Sequence, residues 1–200
     1  MIHDLDGWHH GYDVKLQAYF DQLVTSGWRA ITELRAHGLI RAIGAGVNHL
    51  GLIPRFLEIV DVDFFLIAMP YTLLRQEMLD EFSACEERGI GLVIGAPFQS
   101  GILATGSKGG AKADYSPPTP EVLARVERIE AVCARHDVPI AAAALQFVMG
   151  HPVVAAVIPG AASGAQVERN VATFRHPIPA DLWAELKHEG LLREDAPVPA

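Results

Sequence analysis

Cysteine is scarce: the chain has two, Cys85 and Cys133, among 200 residues. That excludes a disulfide framework and a cysteine-based metal centre, and reads as two buried, reduced thiols. Basic residues are also in deficit, with 16 Lys and Arg against 24 Asp and Glu, for a net charge of −8. Such a balance argues against a nucleic-acid footprint and against an anionic membrane surface. No apolar run approaches the length of a membrane span, and no basic segment followed by an apolar one marks a signal peptide. The closing Pro-Val-Pro-Ala carries no lipidation or retention motif. His9 and His10 adjoin, but no second ligand cluster accompanies them, so no metal is expected. What remains is expected to be a cytoplasmic protein with no nucleic-acid and no membrane partner.

Half of the residues are hydrophobic and 20% are charged, the composition of a globular chain. Residues 1–200 read as a single domain with a sizeable core, ending in a frayed tail over 195–200. The organising stretch runs from Gly89 to Gly106. Ile90 to Ile94 is a short apolar run rich in β-branched residues, read as a strand buried on both faces. Gly95 and Pro97 break it. Phe98, Gln99 and Ser100 follow at the strand mouth, and Gly101 allows close approach of a ligand.

Strand and helix alternate along the chain. Met1 to Asp4 reads as the end of a strand, followed by a polar, aromatic loop through His10. A helix is predicted from Gln17 to His37, with Ser26-Gly27 as an interruption and Gly38 as its stop. Arg41 to Gly46 is a strand, Asn48 an N-cap, and His49 to Val60 a helix. Phe64 to Ala68 is the next strand, and a helix covers Gln76 to Arg88. The segment from Ser107 to Pro118 has the composition of a flexible loop. Thr119-Pro120 opens a helix, Pro139 another, and Val153 to Ile158 is a strand. Ser163 to Phe174 and Ala180 to His188 complete the helices. The alternation demands a parallel α/β sheet. Its periodicity leaves two architectures open: an open doubly wound sheet, or part of a closed (β/α)₈ barrel.

The polar residues gather after strands, where α/β folds bind ligands. The opening stub gives His3. The next strands give Asn48 and His49, then Tyr71, then Phe98, Gln99 and Ser100. The last gives Gly160 and Ser163, then Gln166, Arg169 and Asn170. Asn48 and Ser163 have a purely capping alternative, and Tyr71 a packing one.

These residues carry a resemblance. Ile-His-Asp at the start, Gly46-Val47-Asn48, Tyr71-Thr72-Leu73-Leu74, the run from Phe98 to Gly106, and Ile158-Pro159-Gly160 with Asn170 are similar to the aldo-keto reductase superfamily. The nearest branch is that of D-threo-aldose (L-fucose), L-galactose and pyridoxal dehydrogenases. The resemblance implies a (β/α)₈ TIM barrel, here a partial one from the fourth strand onward. It implies an NAD(P)-dependent oxidoreductase acting on an aldose-like hydroxyl or a small aldehyde, with NAD as cofactor and NADP as its alternative.

The resemblance also implies roles. His3 matches the histidine of an Asp, Tyr, Lys, His tetrad, donating a hydrogen bond to the substrate oxygen as a neutral ring. Asn48 matches the residue that holds the nicotinamide carboxamide, and Phe98 the aromatic that stacks on the ring. Gln99, Ser100 and Gly101 match the pyrophosphate turn. Gly160, Ser163, Gln166 and Asn170 belong to the segment receiving the adenosine end at a helix N-terminus. The Asp, Tyr and Lys come from units expected before Met1, and Tyr12, Tyr19, Tyr71 and Tyr115 lie in other motifs. The rival expectations are therefore a catalytically inactive cofactor-binding or regulatory relative and a non-functional fragment. Open barrel edges also predict self-association.

Overall fold

Short β-branched and aromatic runs, each followed by a helix, set the architecture. The computed structural model describes residues 1–11, 14–110 and 112–199. Tyr12, Ala111 of the predicted loop and Ala200 of the predicted tail lie outside the described residues. The chain opens with α1 (Gly7–His10) and α2 (Val14–Gln22). A π-helical turn over Leu23–Gly27 joins α2 to α3 (Trp28–Ala36). Strands β1 (Gly44–Val47), β2 (Phe64–Ala68) and β3 (Gly91–Gly95) are separated by α4 (Leu52–Leu57), a 3₁₀ turn over Glu77–Glu81 and α5 (Phe82–Glu87). Then come α6 (Ile102–Thr105), α7 (Pro120–Arg135), α8 (Ile140–Met149), β4 (Val154–Ile158), α9 (Gly164–Phe174) and α10 (Ala180–His188).

The four strands are parallel and lie in chain order, β1-β2-β3-β4. That order decides between the two architectures. A doubly wound sheet reverses direction at a switch point. Steps of constant direction and hand instead place every crossover helix on one face, which is the arc of a barrel. The opening stub joins the arc: Ile2 bridges Ala45 in parallel, its N–H donating to the Gly44 carbonyl at 2.7 Å while its carbonyl accepts from the Gly46 N–H at 2.8 Å.

Alternation within the strands separates two faces. Phe65 and Ile67 of β2, with Leu92 and Ile94 of β3, are buried against the helices, where α8 supplies six buried residues. Phe64, Leu66, Gly91 and Val93 lie on the opposite, half-buried face. The strand expected to be buried on both faces is therefore covered on one, because the arc leaves its concave side open. Gly44 serves that concave layer: a Cβ there would lie 2.5 Å from the Phe64 ring.

Several boundaries differ from the sequence reading. The predicted Gln17–His37 helix is already formed at Val14 and winds into the π turn at Ser26-Gly27, and α3 has no fully buried residue. The helix after Asn48 starts at Leu52, behind Gly51 at φ 80°. Thr119 and Ser163 do cap α7 and α9, accepting from the Val122 and Gln166 N–H groups. The last described residues, expected to fray, lie against the body: Ala196 is buried and Val198 packs on the core. Among the described residues, no helix is long and apolar enough to cross a membrane.

Both thiols are buried, which pushes Cys85 up to about 11 and Cys133 up to about 12. A thiolate reagent at neutral pH should therefore find no reactive cysteine in the folded chain and two after unfolding. Rapid modification under native conditions would contradict this burial.

Candidate functional site

The carboxyl ends of the strands meet an open cleft of about 780 Å³. Ala68, Gly95 and Ile158 bring β2, β3 and β4 to its floor. Phe98, Ser100 and Gly101 line one side and Gly160, Gln166 and Asn170 the other. Six of the sequence-predicted cofactor residues thus share one cavity, drawn from segments some 60 residues apart. Arg169 and Tyr115 line it as well.

The turn after β3 is strained. Ala96, Gln99 and Ser100 take positive φ angles of 50°, 47° and 58°, a region that non-glycine residues seldom occupy, before Gly101 at 107°. Surrounding contacts hold it there. Gln99 is 1% exposed, and its side chain points away from the cleft, into the protein. The Thr72 hydroxyl donates to Gln99 Oε1 at 2.8 Å, while Gln99 Nε2 donates to Asp114 Oδ1. Arg75 Nη1 donates to the other Asp114 oxygen at 3.3 Å, and the Tyr115 N–H donates to Ser100 Oγ at 3.0 Å. Gly101 and Lys112 form a parallel bridge. The segment read as a flexible loop is thus pinned to the strand mouth at 112–116. Composition marks its glycines and lysines but not hydrogen bonds that reach back 15 residues.

Across the cleft, Ser163 caps α9, Gln166 Oε1 accepts from the Ala162 N–H, and Asn170 Nδ2 lies 3.4 Å from the Gly160 carbonyl. Nothing would obstruct a Cβ at Gly160 or Gly164, so space above this helix start is open. The cleft, the aromatic side chain of Phe98 and an uncrowded helix N-terminus fit an elongated dinucleotide.

His3 and Asn48 stand outside the cleft lining, at the mouths of the stub and β1. The exposed His3 ring places Nδ1 2.8 Å from Asp4 Oδ2. A neutral ring so held carries its proton on Nδ1 and leaves Nε2 as an acceptor. In that tautomer the His3 Nδ1–H is engaged by Asp4 and Nε2 faces away from it. Asn48 does not cap α4. Its Nδ2 donates to Asp6 Oδ2 at 3.1 Å, and its Oδ1 pairs with His49 Nδ1. Asp6 was not singled out by sequence reading, although its position three residues before His9 is an N-cap spacing that was available. Burial raises the Asp6 carboxyl, but hydrogen bonds from His9 and Asn48 outweigh this and hold it below the usual range. Asp4, Asp6 and His9 place ligand-type atoms within 4.8 Å of one another. Both His9 nitrogens already face these carboxylates.

Tyr71 resolves toward packing. It is fully buried, edge-on to Phe82 at 4.7 Å, and its hydroxyl has no hydrogen-bond partner among the described residues. Burial in apolar surroundings drives its ionisation far above the ordinary tyrosine value.

Comparison with known proteins concerns the chain as a whole. The family model for the Aldo/keto reductase family matches residues 1–189. Pyridoxal 4-dehydrogenase of Microbacterium luteolum is 42% identical over 167 residues, covering 83% of this chain and 49% of that protein. D-threo-aldose 1-dehydrogenase of a Pseudomonas species is 36% identical over 174 residues, covering 86% and 53%. The chain thus spans about half the length of these curated relatives. The holo form of an aldo-keto reductase from Bacillus halodurans superposes with a TM-score of 0.68 at 23% identity, covering 90% of this chain and 58% of that one. At that identity the likeness is one of fold, and it places the four-stranded arc within a (β/α)₈ barrel.

Proposed function

The chain belongs to the aldo/keto reductase family, and on that premise we propose that it serves an NAD(P)-dependent oxidoreductase acting on an aldose-like hydroxyl or a small aldehyde. The observation that carries this reading is the shared cleft, where Phe98, Ser100 and Gly101 face Gly160, Gln166 and Asn170 at the carboxyl ends of the strands. In this reading Phe98 offers its ring face to the nicotinamide and Asn48 holds the carboxamide. The strained turn at Gln99–Gly101 lies under the pyrophosphate, and the start of α9 receives the adenosine end. A bound nicotinamide supplies hydride transfer at its C4 carbon. The protein's part is to stack, orient and, at His3 Nε2, exchange a hydrogen bond with the substrate oxygen.

Titration with NAD, followed by turnover with L-fucose or a small aldehyde, tests the reading. Saturable binding with turnover supports it, and absence of binding overturns it. A second reading is a cofactor-binding module without turnover. It is favoured by Tyr71, whose hydroxyl is sealed in the core, where no substrate oxygen reaches it. Binding without turnover would select it.

NAD should bind at least as well as NADP. The stretch from Gly160 to Gln166 holds no Lys or Arg to pair with an extra phosphate. Arg169 lines the cleft nearby, so residual NADP binding should fall with Arg169→Ala while NAD binding holds. Preference for NADP by wild type at matched salt would overturn this expectation. The proposal includes self-association through the outer edges of the arc, since β4 pairs only with β3 among the described residues. Light scattering that shows a monomer at all concentrations would remove that part.

A further inference from the structure

Asp6 is fully buried, yet it opens only a one-turn surface helix, α1. An exposed serine or asparagine would cap such a helix at lower desolvation cost. Capping explains only part of its bonding: Oδ1 accepts from the His9 N–H at 2.9 Å. The remaining contacts point elsewhere. His9 Nδ1 lies 3.1 Å from both Asp6 oxygens, and Asn48 Nδ2, 42 residues away, donates to Oδ2 at 3.1 Å. On its other side, His9 Nε2 lies 3.3 Å from Asp4 Oδ2, which in turn meets His3 Nδ1 at 2.8 Å. One continuous polar chain therefore runs from His3 through Asp4, His9 and Asp6 to Asn48, and on to His49.

We propose that Asp6 and His9 are positioning residues that set the Asn48 amide and the His3 ring together. The inference rests on the reading of Asn48 as the carboxamide contact. An asparagine amide has two orientations with opposite hydrogen-bonding character. A carboxylate accepts only, so Asp6 fixes the NH₂ group on its own side. The Asn48 carbonyl is left to His49, and the second amide N–H is left as a donor for a ligand carbonyl. Substituting Asp6 by Asn removes this constraint, because the new amide is itself both donor and acceptor. His9, locked between two carboxylates, carries the same constraint outward to Asp4 and His3.

The test compares NAD with ADP-ribose, which lacks the nicotinamide and with it the carboxamide that Asn48 meets. Asp6→Asn should weaken NAD about five- to tenfold, the scale of one misdirected hydrogen bond, and leave ADP-ribose unchanged. Asn48→Ala should do the same, and the double variant should lose no more than either single one. His9→Ala, which keeps the Asp6 cap and alters a half-exposed side chain, should weaken NAD to a smaller degree. It serves if Asp6→Asn does not fold. Equal losses for NAD and ADP-ribose, additive losses in the double variant, or unchanged NAD affinity would each overturn the proposal. If wild type binds no NAD, the functional reading itself fails, and the positioning claim is judged by the Asn48 side-chain amide resonances. Displacement of those resonances in both variants supports it, and unmoved resonances overturn it.

Discussion

Gln99→Ala is expected to destabilise the fold by about 2–3 kcal/mol, the scale of one lost buried hydrogen bond and one lost half-exposed bond to a carboxylate. The side chain is 1% exposed and bridges Thr72, at the mouth of β2, to Asp114 on the far loop. Its removal leaves the Thr72 hydroxyl, itself fully buried, with the Arg75 N–H as a donor and no acceptor. It also releases one Asp114 oxygen, so that Arg75 alone retains the Asp114 carboxylate. The second effect is local. Amides over 112–116 should exchange faster than the global loss of stability requires, because the segment loses its one buried tie and keeps only the outer contacts at Arg75, Ser100 and Gly101. Denaturant unfolding and hydrogen exchange measure the two effects. Wild-type stability in Gln99→Ala, or unchanged exchange in the loop, would show that Gln99 does not act as the clamp.

Tyr71→Ala should cost about 3–5 kcal/mol, the range for deleting a buried aromatic ring and leaving a cavity. Its ring packs on Phe82 at 4.7 Å and on Phe147 at 5.4 Å, joining the core beneath β2 to α5 and α8. Tyr71→Phe is the informative control. The hydroxyl it removes is buried without a partner, so the change should be neutral or stabilising by up to about 1 kcal/mol. NAD affinity should be unaltered in Tyr71→Phe. A loss of affinity there, or a large loss of stability, would return Tyr71 to the site. Thermal unfolding of the pair, beside the wild type, makes the comparison.

Some of this was legible in the sequence for local reasons. Phe64–Ala68 and Ala180–His188 have the predicted bounds, because their hydrophobic patterns and flanking residues suffice. Thr119-Pro120 and Ser163 announce their helices through a cap that bonds three residues ahead. The residues at the strand mouths were legible because a parallel α/β chain places them at one end, and six of them do share a cleft. What escaped was fixed at long range. Asn48 looks like a cap until Asp6, 42 positions earlier, takes its amide. Gln99 looks like a ligand-facing residue until Thr72 and Asp114 turn it inward. The loop after Gly106 has the composition of a mobile segment, yet Asp114 and Tyr115 are held by partners that composition does not reveal. The apolar stripe of α3 is real in pattern, but it is covered only in part: Trp28 packs on the core while Leu34 stays 43% exposed.

The central claim is that the cleft beside Phe98 binds a nicotinamide dinucleotide. Phe98 is half-buried, packs against the core on one side and lines the cleft with its other. The direct measurement is calorimetric titration of NAD into the wild-type chain and into Phe98→Ala, with unfolding curves to show that both are folded. The account predicts saturable binding by the wild type, weakened several-fold in the variant, since an aromatic contact contributes about 0.5–1.5 kcal/mol beyond its buried area. Equal affinity in the two folded proteins, or no binding by either, would contradict it.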